Sequence, residues 1–182
     1  MSERFPPLML VDGYNVIGAW HKLKTLSSHY GLEQARSGLI ETMTNYSAYQ
    51  GYKTVLVFDA YNVDTPGVSE KVTKNLKLYF TEYRQTADSY IEKECGKYHR
   101  DPLRHLKRII VVTSDQAQSL TTTGFGAECI SAIALEQEVE LTLRSVQHRQ
   151  KSAKIPSKRL LGNLIDDRVR AQLAKLRQDL DR

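Results

Sequence analysis

The sequence predicts an α/β fold, a central and mostly parallel sheet with helices on its faces. Three observations carry that expectation. Leu8-Met9-Leu10-Val11, Val55-Leu56-Val57-Phe58 and Ile109-Ile110-Val111-Val112 are short apolar runs of the kind that form strands buried on both faces. Each is followed by an acid: Asp12, Asp59 and, after Thr113-Ser114, Asp115. Stretches with apolar residues at helical spacing separate the runs, the alternation of a parallel sheet with crossover helices. Ligands of such sheets gather at the carboxyl ends of the strands, so the three acids are expected along one edge. Any one acid reads most simply as a helix or turn cap. Three in the same position on separate strands point to a metal or catalytic role.

The elements follow in order. Gly13 is expected to permit the turn after Asp12. Trp20 to Tyr30 reads as a polar connection. After Gly31 comes a helix over about Leu32 to Tyr49, whose Leu32, Ala35, Leu39, Met43 and Tyr46 share one face. Gly51-Tyr52 ends it, and Thr54 to Phe58 completes a right-handed βαβ unit that brings Asp12 and Asp59 to the same edge. Ala60 to Val68 holds Asn62, Asp64, Pro66 and Gly67, a turn-rich loop bordering the acids. A short strand follows over Leu76 to Phe80. Thr86 is placed to cap the next helix, and Asp88 in its first turn suits the helix dipole. Asp88 and Glu92 are four apart and share a face beside the apolar flank of Ala87, Ile91 and Cys95. Spacing alone fits a solvated acidic turn equally well.

Between Lys97 and Arg108 lie five Lys or Arg with His99 and His105, against the single acid Asp101. Such runs are usually solvated surface, although this one feeds the strand that leads to Asp115 and could also contact phosphates. Beyond it, Gln116 to Leu120 reads as a short helix and Gly124-Phe125-Gly126-Ala127 as a turn without phosphate-cradling spacing. Leu135, Val139, Leu143 and Val146 mark another amphipathic helix. From Arg144 to Arg159 there are six basic residues, Arg144, Arg149, Lys151, Lys154, Lys158 and Arg159, and no acid. Pro156-Ser157 opens a final helix carrying Leu161, Ile165, Val169, Leu173, Leu176 and Leu180. The expected organisation is an α/β domain over residues 1–150. Residues 151–182 then form a basic linker and a C-terminal amphipathic helix packed on that domain or extending from it.

A chain of 182 residues fits one domain with a substantial core and no need of disulfides. A net charge of +5 and a pI near 9.1 permit a polyanionic partner but are mild for a dedicated nucleic-acid binder. Cys95 and Cys129 lack zinc-site spacing and suit a reducing compartment. The N-terminus is too short and polar for a signal peptide, and no apolar run is long enough to cross a bilayer. The expected location is the cytoplasm, or a plastid stroma if a transit peptide has been removed, with no membrane partner.

Clustered carboxylates without a histidine or cysteine pattern are hard oxygen ligands suited to Mg²⁺ or Mn²⁺. Close anions repel one another, and a divalent cation resolves that repulsion while activating water against a phosphodiester.

At this point the residues carry a resemblance. Asp12-Gly13-Tyr14-Asn15, the acid after the second strand, Thr86-Ala87-Asp88 with Ile91-Glu92, and Val112-Thr113-Ser114-Asp115 together resemble the NYN domains, a branch of the PIN-like nucleases, in their YacP type. The resemblance spans Leu8 to Val146. It implies a PIN-like three-layer fold and a metal-dependent endoribonuclease that cleaves mRNA associated with the ribosome. It also implies that Asp12, Asp88 and Asp115 bind the metal and that Asn15 is a polar partner near the scissile phosphate. Asp59, Glu92 and Ser114 are supporting residues. Tyr14 belongs to the motif and is expected to serve packing. The basic run, from Arg144 through Arg149, Lys151, Lys154 and Lys158 to Arg159, is the expected RNA-binding segment on charge alone.

Other readings fit less well. A haloacid-dehalogenase-type phosphatase usually needs an acid at the position of Tyr14, and a receiver domain needs an acidic pair where this chain has only Asp12. The competitor from another class is a catalytically silent RNA- or ribosome-binding module, which the basic run would serve equally. A pure binder, however, gains little from concentrating negative charge where phosphates must approach.

Overall fold

A computed structural model describes residues 5–60 and 66–153. In chain order the elements are β1 (Leu8–Asp12), α1 (Gly13–Ala19), α2 (His21–Tyr30), α3 (Leu32–Gln50), β2 (Lys53–Phe58), β3 (Val68–Lys71), β4 (Leu76–Phe80), α4 (Ala87–Arg100), β5 (Ile109–Val112), α5 (Gln116–Gly124), β6 (Glu128–Ile130) and α6 (Ala132–Ala153). The strands form one sheet in the order β3-β4-β2-β1-β5-β6. All neighbours run parallel except β3, which is antiparallel to β4. This is a mixed α/β, PIN-like fold.

Alternation along the strands sends successive side chains to opposite faces and builds two cores. Met9, Val11, Leu56, Phe58, Ile110 and Val112 pack on one face with residues of α1, α2, α3 and α6. Leu10, Val57, Ile109 and Val111 pack on the other with Ala87, Ile91 and Cys95 of α4. The expected apolar flank of α4 is therefore its buried face. Burial also pushes the Cys95 thiol up to about 12, and both cysteines are free. No helix of the described residues is long and apolar enough to cross a membrane.

Trp20 to Tyr30 is a correction. Instead of a polar connection, α1 begins directly at Gly13, Trp20 makes an extended one-residue break, and α2 follows to Tyr30. Only Leu23 of α2 is fully buried, so the segment lacks a full apolar stripe, and its helix is held by packing on α3. Trp20 itself is 4% exposed, and its indole N–H donates to the Ala132 carbonyl at 2.7 Å. Tyr46 of α3 donates to Glu138 of α6 at 2.7 Å. These two bonds fasten α6 to the first core.

Gly13 serves a different purpose from the one expected. It is the first residue of α1 and has no positive φ. A Cβ there would lie 2.2 Å from Cε1 of Phe58, so glycine is required because helix and strand meet too closely for any side chain. Two strands were also illegible. β3, which begins within the expected turn-rich loop, is an edge strand with all four residues exposed. β6 has only three residues. Neither shows an alternating pattern. α5 continues to Gly124 rather than stopping at Leu120. Its threonine-rich second half disguises a helix in which Thr121 and Thr122 hydroxyls donate to carbonyls one turn back, Ala117 and Gln118.

The chain groups into two compact units, Met1–Leu143 and Arg144–Arg182. Helix α6 continues through Arg144, Arg149 and Lys151 to Ala153, three residues into the stretch expected as linker. Lys154, Lys158, Arg159 and the expected final helix lie outside the described residues, as do residues 61–65 of the loop after Ala60.

Phe58 is fully buried and cannot retreat from an added methyl group. The substitution Gly13→Ala is expected to lower stability by about 1–3 kcal/mol through overpacking, read from the urea midpoint at unchanged denaturant slope.

Candidate active site

The carboxyl ends of β1, β2 and β5 lie side by side because β1 sits between the other two. Asp12 is the last residue of β1 and is in register with Val57, two residues before Asp59. Val11 is in register with Val112, three residues before Asp115. The three acids thus follow adjacent parallel strands at one edge, as expected. Asp88 and Glu92 come from α4, whose start is carried to the same place by Asp59: its Oδ1 accepts the Ala87 N–H at 2.5 Å.

Hydrogen bonds join these positions. Asp12 caps α1 by accepting from Asn15 N–H at 3.1 Å. The Asn15 side-chain oxygen accepts from Ser114 N–H at 2.9 Å, which ties β1 to the segment after β5. The Ser114 hydroxyl accepts from Ala132 N–H at the start of α6, at 3.3 Å. Asp115 caps α5, taking the N–H groups of Ala117 at 2.7 Å and Gln118 at 3.2 Å. Thr86 caps α4 through Ser89 N–H. Capping therefore explains Asp12 and Asp115 in part, as any single acid could be explained, but not why the acids gather.

Their electrostatics answer that in physical terms. Burial pushes the Asp12 carboxyl up to about 6, with Asp88 and Asp59 adding to the rise against the Asn15 amide, which opposes it. The Asp88 carboxyl is likewise raised by desolvation first, then by Asp115, Asp59 and Glu92. Burial and neighbouring acids thus disfavour the ionised forms of Asp12 and Asp88.

Sequence reasoning missed Gln118. It is 3% exposed and donates its side-chain N–H to Asp88 Oδ1 at 2.6 Å while its backbone N–H meets Asp115. One residue thereby bridges the acids of α4 and α5. Its Oε1 is buried without a hydrogen-bond partner among the described residues, a condition that costs about 1–3 kcal/mol in general. Asp115-Gln116-Ala117-Gln118 does have the spacing of a helix capping box. That signal predicts a glutamine folded back on its own helix, whereas it reaches across to another.

Tyr14 packs edge-on against Phe58, with ring centroids 5.2 Å apart, and its hydroxyl accepts from Arg36 at 3.4 Å. Phe58 in turn stacks on Phe80. These rings belong to the first core, with Tyr14 and Phe80 packed against it, so Tyr14 serves packing as expected.

Among the described residues, no three His, Cys, Asp or Glu side chains are already drawn together around a point where an ion would sit. Asp12, Asp88 and Asp115, the acids expected to bind the metal, do not form such a cluster. Each acid instead directs one oxygen to a protein N–H. The donor set still fits a hard divalent cation: it is all carboxylate oxygen, and Asp12 and Asp88 are raised first by burial and then by neighbouring acids, both of which such an ion offsets.

Comparison with known proteins gives a consistent result. The family model of the YacP-like NYN domain matches residues 9–178. The chain is 36% identical over 177 residues to the uncharacterized protein YacP of Bacillus subtilis, covering 96% of this chain and 99% of the relative. Two crystal structures of Rae1 (YacP) from Bacillus subtilis are similar. One superposes with a TM-score of 0.66 at 34% identity, covering 96% of this chain and 97% of the other. The W164L mutant gives 0.66 at 32% identity, covering 93% and 99%.

The raised Asp12 carboxyl has a consequence for the metal-free protein. The folded state holds that proton more tightly than the unfolded chain, so folding loses stability as pH rises from about 4 to about 6. The substitution Asp12→Asn removes the loss. Its stability advantage over the parent protein should be small at pH 4 and grow to about 1–2 kcal/mol by pH 7, after discounting for partial exposure. Urea unfolding in a chelator across that range measures it, and a constant difference contradicts the raised Asp12 carboxyl.

Proposed function

The chain belongs to the YacP-like NYN domain family, nuclease-like proteins of PIN-like fold, and from that premise we propose that it is a metal-dependent endoribonuclease. The observation that carries the proposal is the set of crowded carboxylates at the ends of β1, β2 and β5 and the start of α4, with Asp12 pushed to about 6. The substrate we propose is mRNA, cut in association with the ribosome, and the setting is the cytoplasm or a plastid stroma.

Asp12, Asp88 and Asp115 are the residues that would hold Mg²⁺ or Mn²⁺. A bound ion supplies a Lewis acid that activates water and offsets charge building on the phosphodiester. Asp59 keeps the start of α4, and with it Asp88, against the sheet through the Ala87 amide. Gln118 orients Asp88 relative to Asp115. Glu92, one helical turn beyond Asp88 in α4, would support the ion or its water. Asn15 gives its carboxamide oxygen to Ser114 N–H, which leaves the side-chain N–H₂ as a donor for a phosphate oxygen. The basic positions Arg144, Arg149 and Lys151 of α6, with Lys154, Lys158 and Arg159 beyond it, would hold the polyanion.

Two measurements test this reading. Labelled RNA, free and ribosome-engaged, is incubated with and without Mn²⁺. Internal cleavage should require the ion, and Asp12→Asn or Asp88→Asn should abolish it while leaving RNA affinity within a few-fold. Unchanged cleavage in both variants removes the assignment. Separately, neutralising the basic run from Arg144 to Arg159 should weaken RNA binding and reduce the salt slope by about one for each phosphate left without its cation. An unchanged slope makes the run ordinary solvated surface.

A further inference from the structure

Beside Asp115 the surface falls into a groove of about 530 Å³ between α5, the end of β6 and the start of α6. Two features set it apart. Its lining contains Leu120 and Ile133, which are 77% and 57% exposed. Large aliphatic side chains scattered singly over a surface need no explanation, but here two of them, from different helices, line the same concavity. Its polar lining is mostly hydroxyl-bearing, with Ser114, Ser119, Thr123 and Ser131 beside the carboxamide of Gln116, and Asp115 is its one charged residue.

That chemistry selects among the parts of an RNA chain. A phosphate subsite needs cations or converging N–H donors; no lysine or arginine lines this groove, the N–H groups of Ala117, Gln118, Ala132 and Ala134 at the starts of α5 and α6 already meet Asp115, Ser114 and Ser131, and Asp115 repels an anion. An uncharged heterocycle with a ribose suits it: apolar side chains take the ring faces, and hydroxyls serve the base edge and the 2′-OH. The volume falls within the range of ligand pockets that hold molecules of nucleoside size or somewhat larger. Continuity fixes the position. The groove shares Ser114 and Asp115 with the candidate active site, so a chain whose phosphodiester lies at the acids sends a neighbouring nucleoside into it.

We infer that the groove lined by Leu120 and Ile133 is a nucleoside-binding subsite that seats one base and ribose of single-stranded RNA next to the scissile phosphate. This rests on the ribonuclease reading for its placement. It adds a residue-level source of substrate preference that the acids, which see only phosphate and metal, cannot supply. Ser114 links the two functions, since its backbone N–H is held by Asn15 and its hydroxyl meets the first residue of α6.

The test is a double cycle on binding. Kd is measured for a short single-stranded oligoribonucleotide and for versions carrying an abasic ribose at each position in turn, using full-length Asp12→Asn protein to prevent turnover. Leu120→Ala with Ile133→Ala is then added to the same protein. Both side chains are exposed, so the fold should tolerate the change, and circular dichroism and Tm check it. One abasic position should weaken binding about tenfold in the protein with Leu120 and Ile133, and by less than twofold once both are alanine. An equal abasic penalty in the two proteins, or no penalty at any position, overturns the subsite. The outcome is separable from the fate of the nuclease reading. Coupling without Mn²⁺-dependent cleavage by the parent protein would leave the subsite and remove the enzyme, and cleavage without coupling would do the reverse.

Discussion

Like charge held at close quarters is the constraint around which this molecule is built. Parallel strands β1, β2 and β5 deliver Asp12, Asp59 and Asp115 to one edge, and α4 adds Asp88 and Glu92. Carboxylates so placed would push the elements apart if nothing opposed them. The opposition is local: backbone N–H groups at the starts of α1, α4 and α5 each take one acid, and the side chain of Gln118 takes another. Helix starts carry partial positive charge, so the same feature that caps a helix also lowers the cost of gathering anions. Fold and site are thus the same set of hydrogen bonds seen from two sides.

The sheet behind that edge was legible because its strands bury both faces. Leu8–Val11, Val55–Phe58 and Ile109–Val112 are apolar without interruption, and so were Asp12, Asp59 and Asp115 legible as the acids that follow them. α3 and α4 declared themselves by an apolar stripe and a threonine cap. What escaped notice has a common cause in tertiary contact. α2 exposes most of its length and is helical through its neighbours, β3 buries none of its four residues, and β6 is too short to show a period. Gln118 was hidden in another way. Its spacing belongs to a local motif, and its use is long-range, 30 residues from Asp88 in sequence. Gly13 was noticed for a conformational freedom that it does not use. The close approach of Phe58, which does require glycine, is invisible without the fold.

The groove beside Asp115 shows how a site of this kind divides its labour. In the proposed reading, acids and a cation would act on phosphate, the one part of RNA that every nucleotide shares. Discrimination has to come from surfaces that touch bases, and in our proposal the exposed Leu120 and Ile133 supply one next to Asp115. Changes at Leu120 and Ile133, whose side chains are exposed, leave the bond from Gln118 to Asp88 in place.

The lone tryptophan of the chain gains a practical meaning from where it sits. Trp20 is sealed in the first core, and its indole grips the carbonyl of Ala132, the residue before one wall of the groove. Its fluorescence is therefore a local optical gauge of that wall. Blue emission corresponds to α6 seated at its origin, and a red shift that precedes loss of the far-ultraviolet helix signal would mean that the groove opens before the sheet gives way.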